Sequence, residues 1–307
     1  MNSEVLLLLD KAETIVRPKP IVKWVGGKKQ LISDLVARIP KSFTHYCEPF
    51  AGGAALCLYL QPKQAIINDA NRELMNVYAV VKHQVEALIS ALKQHEHTQA
   101  HFYKVRQADR APDYYSRYSD VERAARLLFL NKTCFNGLYR VNRQGEFNTP
   151  FGQHKNPDFV NAQGLRAVSH YLNNNTIQLY GVDATDILEV AETLPRTFFY
   201  LDPPYTPISQ TSSFTGYTAS GFSFSDQERL YQFCLRLHAE GHFFLLSNSA
   251  HPAVMNLYRD FNIEVVRAKR NINCQTDKRG SVNEVLIRNY DDNNHLLTHS
   301  YGGSNAC

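Results

Sequence analysis

The sequence predicts a doubly wound, Rossmann-like α/β fold, and three observations carry the prediction. Short apolar runs alternate with segments of helical periodicity in the first 70 and the last 140 or so residues, the pattern of a parallel sheet wrapped by helices. A strand-to-helix connection with adjacent glycines, Phe50-Ala51-Gly52-Gly53-Ala54-Ala55-Leu56, precedes a short strand that ends in an acid, Asp69. The continuous apolar run Thr197-Phe198-Phe199-Tyr200-Leu201, which reads as a fully buried strand, is closed by Asp202-Pro203-Pro204-Tyr205. Open α/β sheets bind ligands outside the carboxyl ends of their strands, so this tetrapeptide occupies an active-site address.

Taken in order, Ile21-Val22-Lys23-Trp24-Val25 and the pair Gly26-Gly27 lead into a helix predicted from Lys28 through Leu31, Leu35 and Val36 to Pro40. Phe43 to Cys47 reads as a strand, Ala54 to Leu60 as a helix, and Ala65 to Ile67 as a second strand ending in Asn68-Asp69. From Asn71 to about Tyr171 the character changes. One helical pattern covers Leu74 to Leu92, another Val121 to Leu130, and a polar stretch rich in Asn, Gly and Arg runs from Asn131 to Pro157. Residues 72–170 therefore read as a helical lobe inserted into a core made of 1–71 and 171–307. Strands return at Thr176 to Tyr180, Thr197 to Leu201 and His242 to Leu246, with a helix over Asp226 to Ala239. Ile263 to Arg267 and Glu284 to Arg288 are close enough in sequence to form a hairpin at the sheet's edge. After Tyr290 the tail is polar and expected to fray.

Charge and cysteine content narrow the class. A formal net charge of +4 on 307 residues is too weak to argue nucleic-acid binding by itself, so any such footprint must come from local clustering. Cys47, Cys57, Cys134, Cys234, Cys274 and Cys307 form no CxxC and no ligand-spaced pair with histidine, which argues against structural zinc and a disulfide framework and fits a reducing cytoplasm. His95, His97 and His101 lack carboxylate or cysteine partners at ligand spacing and read as an exposed helix end, so no metal is expected. Leu6 to Leu9 is too short for a signal-peptide core and no run reaches membrane-spanning length.

The tetrapeptide is also a chemical device. Its prolines fix the backbone and aim the carbonyl between them, Asp202 adds a second acceptor, and Tyr205 offers a stacking face. Two acceptors and a π-face fit a planar amino group on a base. The Gly52-Gly53 loop allows close backbone approach to a ligand, and Asp69 sits where nucleotide-binding folds place a ribose-gripping carboxylate, although a cap before Asn71 explains it as well. The loop lacks G-x-G-x-x-G, and Gly26-Gly27-Lys28-Lys29 lacks the first glycine and the Ser/Thr of a P-loop. A nucleoside without a pyrophosphate fits better than NAD or ATP. Between residues 102 and 126, Lys104, Arg106, Arg110, Arg117, Arg123 and Arg126 interleave with five aromatics, a pattern that basic helical faces produce without any ligand.

Lys23-Trp24-Val25-Gly26-Gly27-Lys28, Glu48-Pro49-Phe50-Ala51-Gly52-Gly53, Ile67-Asn68-Asp69 and Asp202-Pro203-Pro204-Tyr205 occur in the order found in the Dam-like (D12 class, alpha-group) DNA adenine-N6 methyltransferases, which the chain resembles from about Pro20 to Tyr290. Asn136-Gly137-Leu138-Tyr139-Arg140-Val141-Asn142 and Gly145-Glu146-Phe147-Asn148 look like that family's target-recognition signature. The resemblance implies a Rossmann-like methyltransferase sheet, S-adenosylmethionine as cofactor, double-stranded DNA as partner and GATC as target. It implies that Trp24, Gly26, Gly27 and Lys28 lie at the methionine end of the cofactor, that Glu48, Phe50, Gly52 and Gly53 form the cofactor loop, and that Asp69 is the ribose acid. Asp183 looks like the acceptor for the cofactor's adenine, with Asp186 as a competitor and a helix cap as the plain alternative for either. DNA contacts are implied for Lys23, Phe135, Asn136, Leu138 and Arg140; Phe135 stands where the family places an aromatic wedge, and arginine suits paired contacts to guanine O6 and N7. Gln153-His154 departs from the family's frequent Arg-Tyr and leaves a contact expected there open.

The expected enzyme is thus a cytoplasmic, mainly monomeric adenine-N6 methyltransferase that rotates its target out of the duplex into the Asp202 to Tyr205 pocket, either paired with a restriction endonuclease or acting alone. A cytosine-N4 enzyme satisfies the same acceptors, and a DNA-binding module with an inert cofactor fold is the alternative of a different class.

Overall fold

The computed structural model describes residues 16–191, 194–205, 222–269 and 281–298; Leu6 to Leu9, Cys274 and Cys307 lie outside them. The strands are β1 (His45–Glu48), β2 (Gln64–Asn68), β3 (Thr176–Tyr180), β4 (Thr197–Leu201), β5 (Phe243–Ser249), β6 (Asn262–Lys269) and β7 (Ser281–Arg288). They form one sheet in the order β3-β2-β1-β4-β5-β7-β6. The first five run parallel, with Cys47 level with Ile66 on one side and Phe199 on the other. β7 is antiparallel to both β5 and β6, so the expected hairpin is present. Chain order reverses between β1 and β4, and a crevice opens at such a switch point at the carboxyl ends of the strands.

Alternation along the central strands sorts their side chains onto two faces. Tyr46, Ile67, Phe198, Tyr200 and Leu245 enter one apolar cluster, and Cys47, Ile66, Phe199, Leu201 and Leu246 the other. Every residue of β4 and β5 is buried, as the continuous apolar runs required. Each fully buried Phe or Leu contributes on the order of 1.5–3 kcal/mol of transfer free energy, which makes these strands the anchor of the fold.

The helices are α1 (Ile32–Val36), α2 (Ala55–Leu60), α3 (Arg72–His83), α4 (Val85–Leu92), α5 (Gln99–Arg106), α6 (Tyr114–Arg117), α7 (Asp120–Thr133), α8 (Ala162–Asn173), α9 (Ile187–Ala191), α10 (Phe224–Ala239) and α11 (Pro252–Leu257). Helices α3, α7 and α8 share the first apolar cluster with the sheet, while α10 and α11 cover the second face. Two helices begin earlier than their apolar patterns suggest because of capping boxes: Ser119 with Glu122 starts α7, and Ser223 with Asp226 starts α10.

Four expectations are corrected. The segment from Lys28 to Pro40 is a 3₁₀ turn at Lys28–Gln30 followed by the short α1, because the Lys28 side chain turns back onto the Gly26 carbonyl and Asp202. The pattern over Leu74 to Leu92 is two helices, broken at Gln84 (φ −140°, ψ 38°); an apolar stripe continues across such a break, and neither glycine nor proline marks it. The tail over residues 291–298 folds back, the Leu297 amide donating to the Asn289 carbonyl and Asn294 accepting from the Lys41 amide, while residues 299–307 lie outside the described residues. The histidine group is half-buried packing rather than an exposed helix end: His95 stacks on Phe129 at 4.5 Å, His101 meets the same ring edge-on, and His97 lies against Phe151. Burial, with His101 second, pushes the His95 imidazole down to about 4. Among the described residues no cluster of His, Cys, Asp and Glu is placed to hold a metal, and no helix is long and apolar enough to cross a membrane.

Candidate active site at the carboxyl edge of the sheet

Parallel strands aligned in register bring residues distant in sequence to one edge. Reading along β3-β2-β1-β4, an acid stands at or just past each carboxyl end: Asp183, Asp69, Glu48 and Asp202.

Glu48 is the last residue of β1 and is buried. Its Oε1 accepts from the Tyr46 hydroxyl at 2.5 Å and the Cys57 amide at 3.0 Å, while Oε2, equally buried, meets no donor among the described residues. Burial pushes this carboxyl up to about 8, against the two hydrogen bonds and with a smaller upward push from Asp202. The loop that follows is drawn tight. Gly52 has φ +48°, and a Cβ there would stand 2.6 Å from the Trp24 ring, so the indole lies directly on the loop. Phe50, half-buried, packs edge-on against Phe222, and Gly53 borders Pro20 and Trp24.

Asp69 accepts from the Gly52 amide through Oδ2 and from the Asn71 amide through Oδ1, both at 2.9 Å. It ties the glycine loop to the start of α3, where Asn71 itself caps the Leu74 amide. Burial raises its carboxyl above the usual range despite those two hydrogen bonds. Asp183 caps a 3₁₀ turn through the Thr185 amide and hydroxyl and pairs with Arg229 at 3.1 Å. Burial opposes ionisation there, but the Thr185 and Arg229 contacts prevail and hold its carboxyl below the usual range. The capping alternative thus describes the observed contacts of both aspartates. Asp186 lies exposed inside the same turn.

Asp202 leaves β4 at the end of this row. Lys28, only 6% exposed, places Nζ 2.7 Å from its Oδ1, 2.9 Å from the Gly26 carbonyl and 4.6 Å from the centre of the Tyr205 ring. The Asp202 carboxyl is pushed up to about 6 by burial, opposed by the Lys28 ammonium and reinforced by Glu284. Tyr205 is fixed from across the sheet, its hydroxyl donating to Glu284 Oε2 at 2.7 Å. Gln227 on α10 reaches the Pro204 carbonyl at 3.5 Å and accepts from buried Asn248 at 3.0 Å, a buttress behind the prolines. Glu284, Gln227 and Asn248 escaped sequence reasoning, since they come from elements far along the chain and carry no local signature.

The second group of predicted residues gathers beside Trp24, which stacks on Tyr139 at 4.8 Å. Buried Asn131 at the end of α7 accepts from the Lys23 amide and donates to the Lys23 and Gly137 carbonyls. Gly137 has φ +66°, and a Cβ would clash with the Lys23 side chain at 2.3 Å. Phe135 is 48% exposed and Asn136 is exposed with φ 56°. The Leu138 carbonyl accepts from the Thr149 hydroxyl, and Arg140 donates through Nε to Asn148 Oδ1 at 2.7 Å within a small hairpin closed by Val141 and Phe147. Beside this turn lies a cleft of about 560 Å³ lined by Lys23, Lys132, Gln153, His154, Lys155 and Asp158 among others. His154 is spent on the Cys134 carbonyl at 3.0 Å. The interleaved arginines are largely structural: Arg126 and Arg110 pair with Asp109, Arg117 with Asp113, and Arg123 with Glu73.

Fold and edge define the class, a Rossmann-like methyltransferase. The model of the D12 class N6 adenine-specific DNA methyltransferases matches residues 24–272, and the chain belongs to that family. It is 41% identical over 274 residues to the Type II methyltransferase M1.LlaDCHI of Lactococcus lactis subsp. cremoris, covering 89% of this chain and 95% of the relative. It is 42% identical over 295 residues to the Type II methyltransferase M.MjaIII of Methanocaldococcus jannaschii, covering 89% and 99%. To the DNA adenine methylase of Serratia marcescens it is 30% identical over 273 residues, covering 87% and 97%. Family membership makes the chain an enzyme that methylates adenine N6 in DNA and implies S-adenosylmethionine as the methyl donor; it supports neither the cytosine-N4 reading nor the non-catalytic one.

Proposed function

We propose that the chain methylates the adenine of GATC, taking the base out of the duplex into a pocket made by Asp202, Pro203, Pro204 and Tyr205. The observation that carries this reading is the seating of Asp202 beside the Tyr205 ring at the switch point, with Glu284 anchoring the tyrosine hydroxyl. A base inside the stack is out of reach, and extruding it costs a few kcal/mol, which stacking on Tyr205 offsets. Asp202 and the Pro203 carbonyl accept hydrogen bonds from the two N6–H groups, which turns the nitrogen's lone pair out of conjugation with the ring. Alignment and electrostatics then carry the step, with no covalent enzyme nucleophile.

The edge fits the cofactor on its own evidence: a buried Glu48 oxygen has no hydrogen-bond partner among the described residues, and the glycine loop under Trp24 gives a backbone surface. When bound, S-adenosylmethionine supplies an electrophilic methyl group. Trp24, Gly26, Gly27, Lys28, Glu48, Phe50, Gly52, Gly53, Asp69 and Asp183 would hold it. Residues 72–170 act in this reading as the target-recognition domain, in which Arg140 reads a guanine, Phe135 wedges into the opened pair, and Lys23, Asn136 and Leu138 line the DNA. The Type II names of two relatives support pairing with a restriction endonuclease, and a cytoplasmic, mainly monomeric enzyme suits that work. DNA from a host expressing the chain, digested with endonucleases that differ in sensitivity to methylated GATC, should be protected only from those blocked by N6-methyladenine. Unprotected GATC with methyladenine elsewhere would overturn the target assignment.

A further inference from the structure

The Lys28 ammonium sits where the target's amino group is to go. It donates to Asp202 Oδ1, lies on the face of the Tyr205 ring, and directs another proton to the Gly26 carbonyl. A flipped adenine needs the same carboxylate and the same ring face. An ammonium is a good stand-in for an amino group: it offers several N–H donors and is drawn to a carboxylate and to an aromatic face alike. The side chain is nearly buried, and Asp202, itself 18% exposed, is also within the field of Glu48 and Glu284, so without Lys28 its carboxylate would face two acidic neighbours with no other cation paired to it among the described residues. The lysine follows a glycine pair whose first member has φ +78°, on a 3₁₀ turn rather than a long helix, so its backbone is not locked into regular structure.

We propose that Lys28 is a displaceable placeholder: it keeps the base seat closed and charge-balanced between turnovers, and the incoming adenine must evict it from Asp202 and the Tyr205 face. This rests on the flipped-base reading above. The cost of evicting Lys28 is common to every base, so it gates entry to the seat, while the amino group offered to Asp202 sets the preference for adenine.

The test uses full-length protein without cofactor and a GATC duplex, with permanganate oxidation of the thymine opposite the target reporting loss of the pair. A duplex carrying purine, which lacks the amino group, replaces adenine in a second arm. Wild type should open the adenine duplex several-fold more than the purine one. Lys28→Met, which keeps length without charge, should raise opening of both by a similar factor. Lys28→Gln should move in the same direction, which guards against a folding defect in one variant. Opening by wild type that is unchanged or reduced in both variants overturns the placeholder and leaves base flipping intact. Bound duplex with no oxidation above free DNA, for any of the three proteins, removes the flipped-base reading and the placeholder with it.

Discussion

At the carboxyl edge of the sheet the partners arrive from far along the chain, Lys28 on Asp202 and Glu284 on Tyr205, whereas around Arg140 they come from close by, Asn148 on Arg140, Glu146 on Asn142 and Thr149 on Leu138. At the edge Glu48 and Lys28 are buried, whereas Arg140 and Glu146 in the hairpin are half-exposed. Removing a group from the edge should therefore alter chemistry and electrostatics together. A change in the hairpin should alter one contact and little else.

The largest effect is expected at Asp202. Asp202→Ala should lower single-turnover methylation by at least about 10²–10³-fold, in the range seen when a preorganised transition-state partner is lost. Duplex affinity should hold, because phosphate contacts supply most of it. With the Asp202 carboxyl pushed up to about 6, wild-type single-turnover rates should fall as pH drops below that value, since the protonated acid loses acceptor strength. Near-normal methylation by the variant, or a flat acid limb, would break the contrast between edge and hairpin.

Asp69→Ala sharpens it. If the carboxylate grips the ribose, calorimetric titration should show cofactor affinity weakened by about 1.5–3 kcal/mol. The Gly52 and Asn71 amides also lose their acceptor, so Tm should drop as well. A lower Tm with unchanged cofactor affinity would make Asp69 a cap alone.

At the hairpin, Arg140→Ala should cost about 1–3 kcal/mol on GATC and relax discrimination at one base pair, with Tm almost unmoved. Equal proportional losses on GATC and on single-base variants, measured as methylation rates at fixed ionic strength, would turn Arg140 into a phosphate contact.

The last effect is a slope. Burial lifts Glu48 from 4.5 to about 8, so the folded chain keeps a proton that the unfolded chain releases near 4.5. This group's contribution to stability is therefore lost as pH rises from 4.5 to about 8. Chemical denaturation of Glu48→Gln should show a shallower decline over that window; an unchanged slope would mean that burial does not govern this acid.

The sheet was legible because each β-strand advertises itself locally: β3 and β4 match their predicted bounds, and the edge hairpin followed from spacing. So was the address of Asp202, since a buried strand closed by prolines must end at the ligand edge. What stayed hidden depends on partners that no local pattern names. Lys28 reads as a helix start and a cofactor contact until Asp202 stands beside it, Glu284 as one polar residue of an edge strand until Tyr205 reaches it, and His95 as surface until Phe129 lies under it. Gln84 breaks a helix with nothing but its dihedrals to show for it.

Asn131 has a consequence for how this chain can be re-engineered. Its amide grips the backbone of Lys23 on one side and of Gly137 on the other, and Gly137 in turn has no room for any side chain beside Lys23. The turn at 135–137 is therefore not a cassette. A graft of residues 134–154 from a relative would arrive with a surface shaped for another lysine stem and another helix end. Transplants should succeed only when the segment around Lys23 and the last turn of α7 travel with it, so the smallest exchangeable unit is two stretches of chain rather than one.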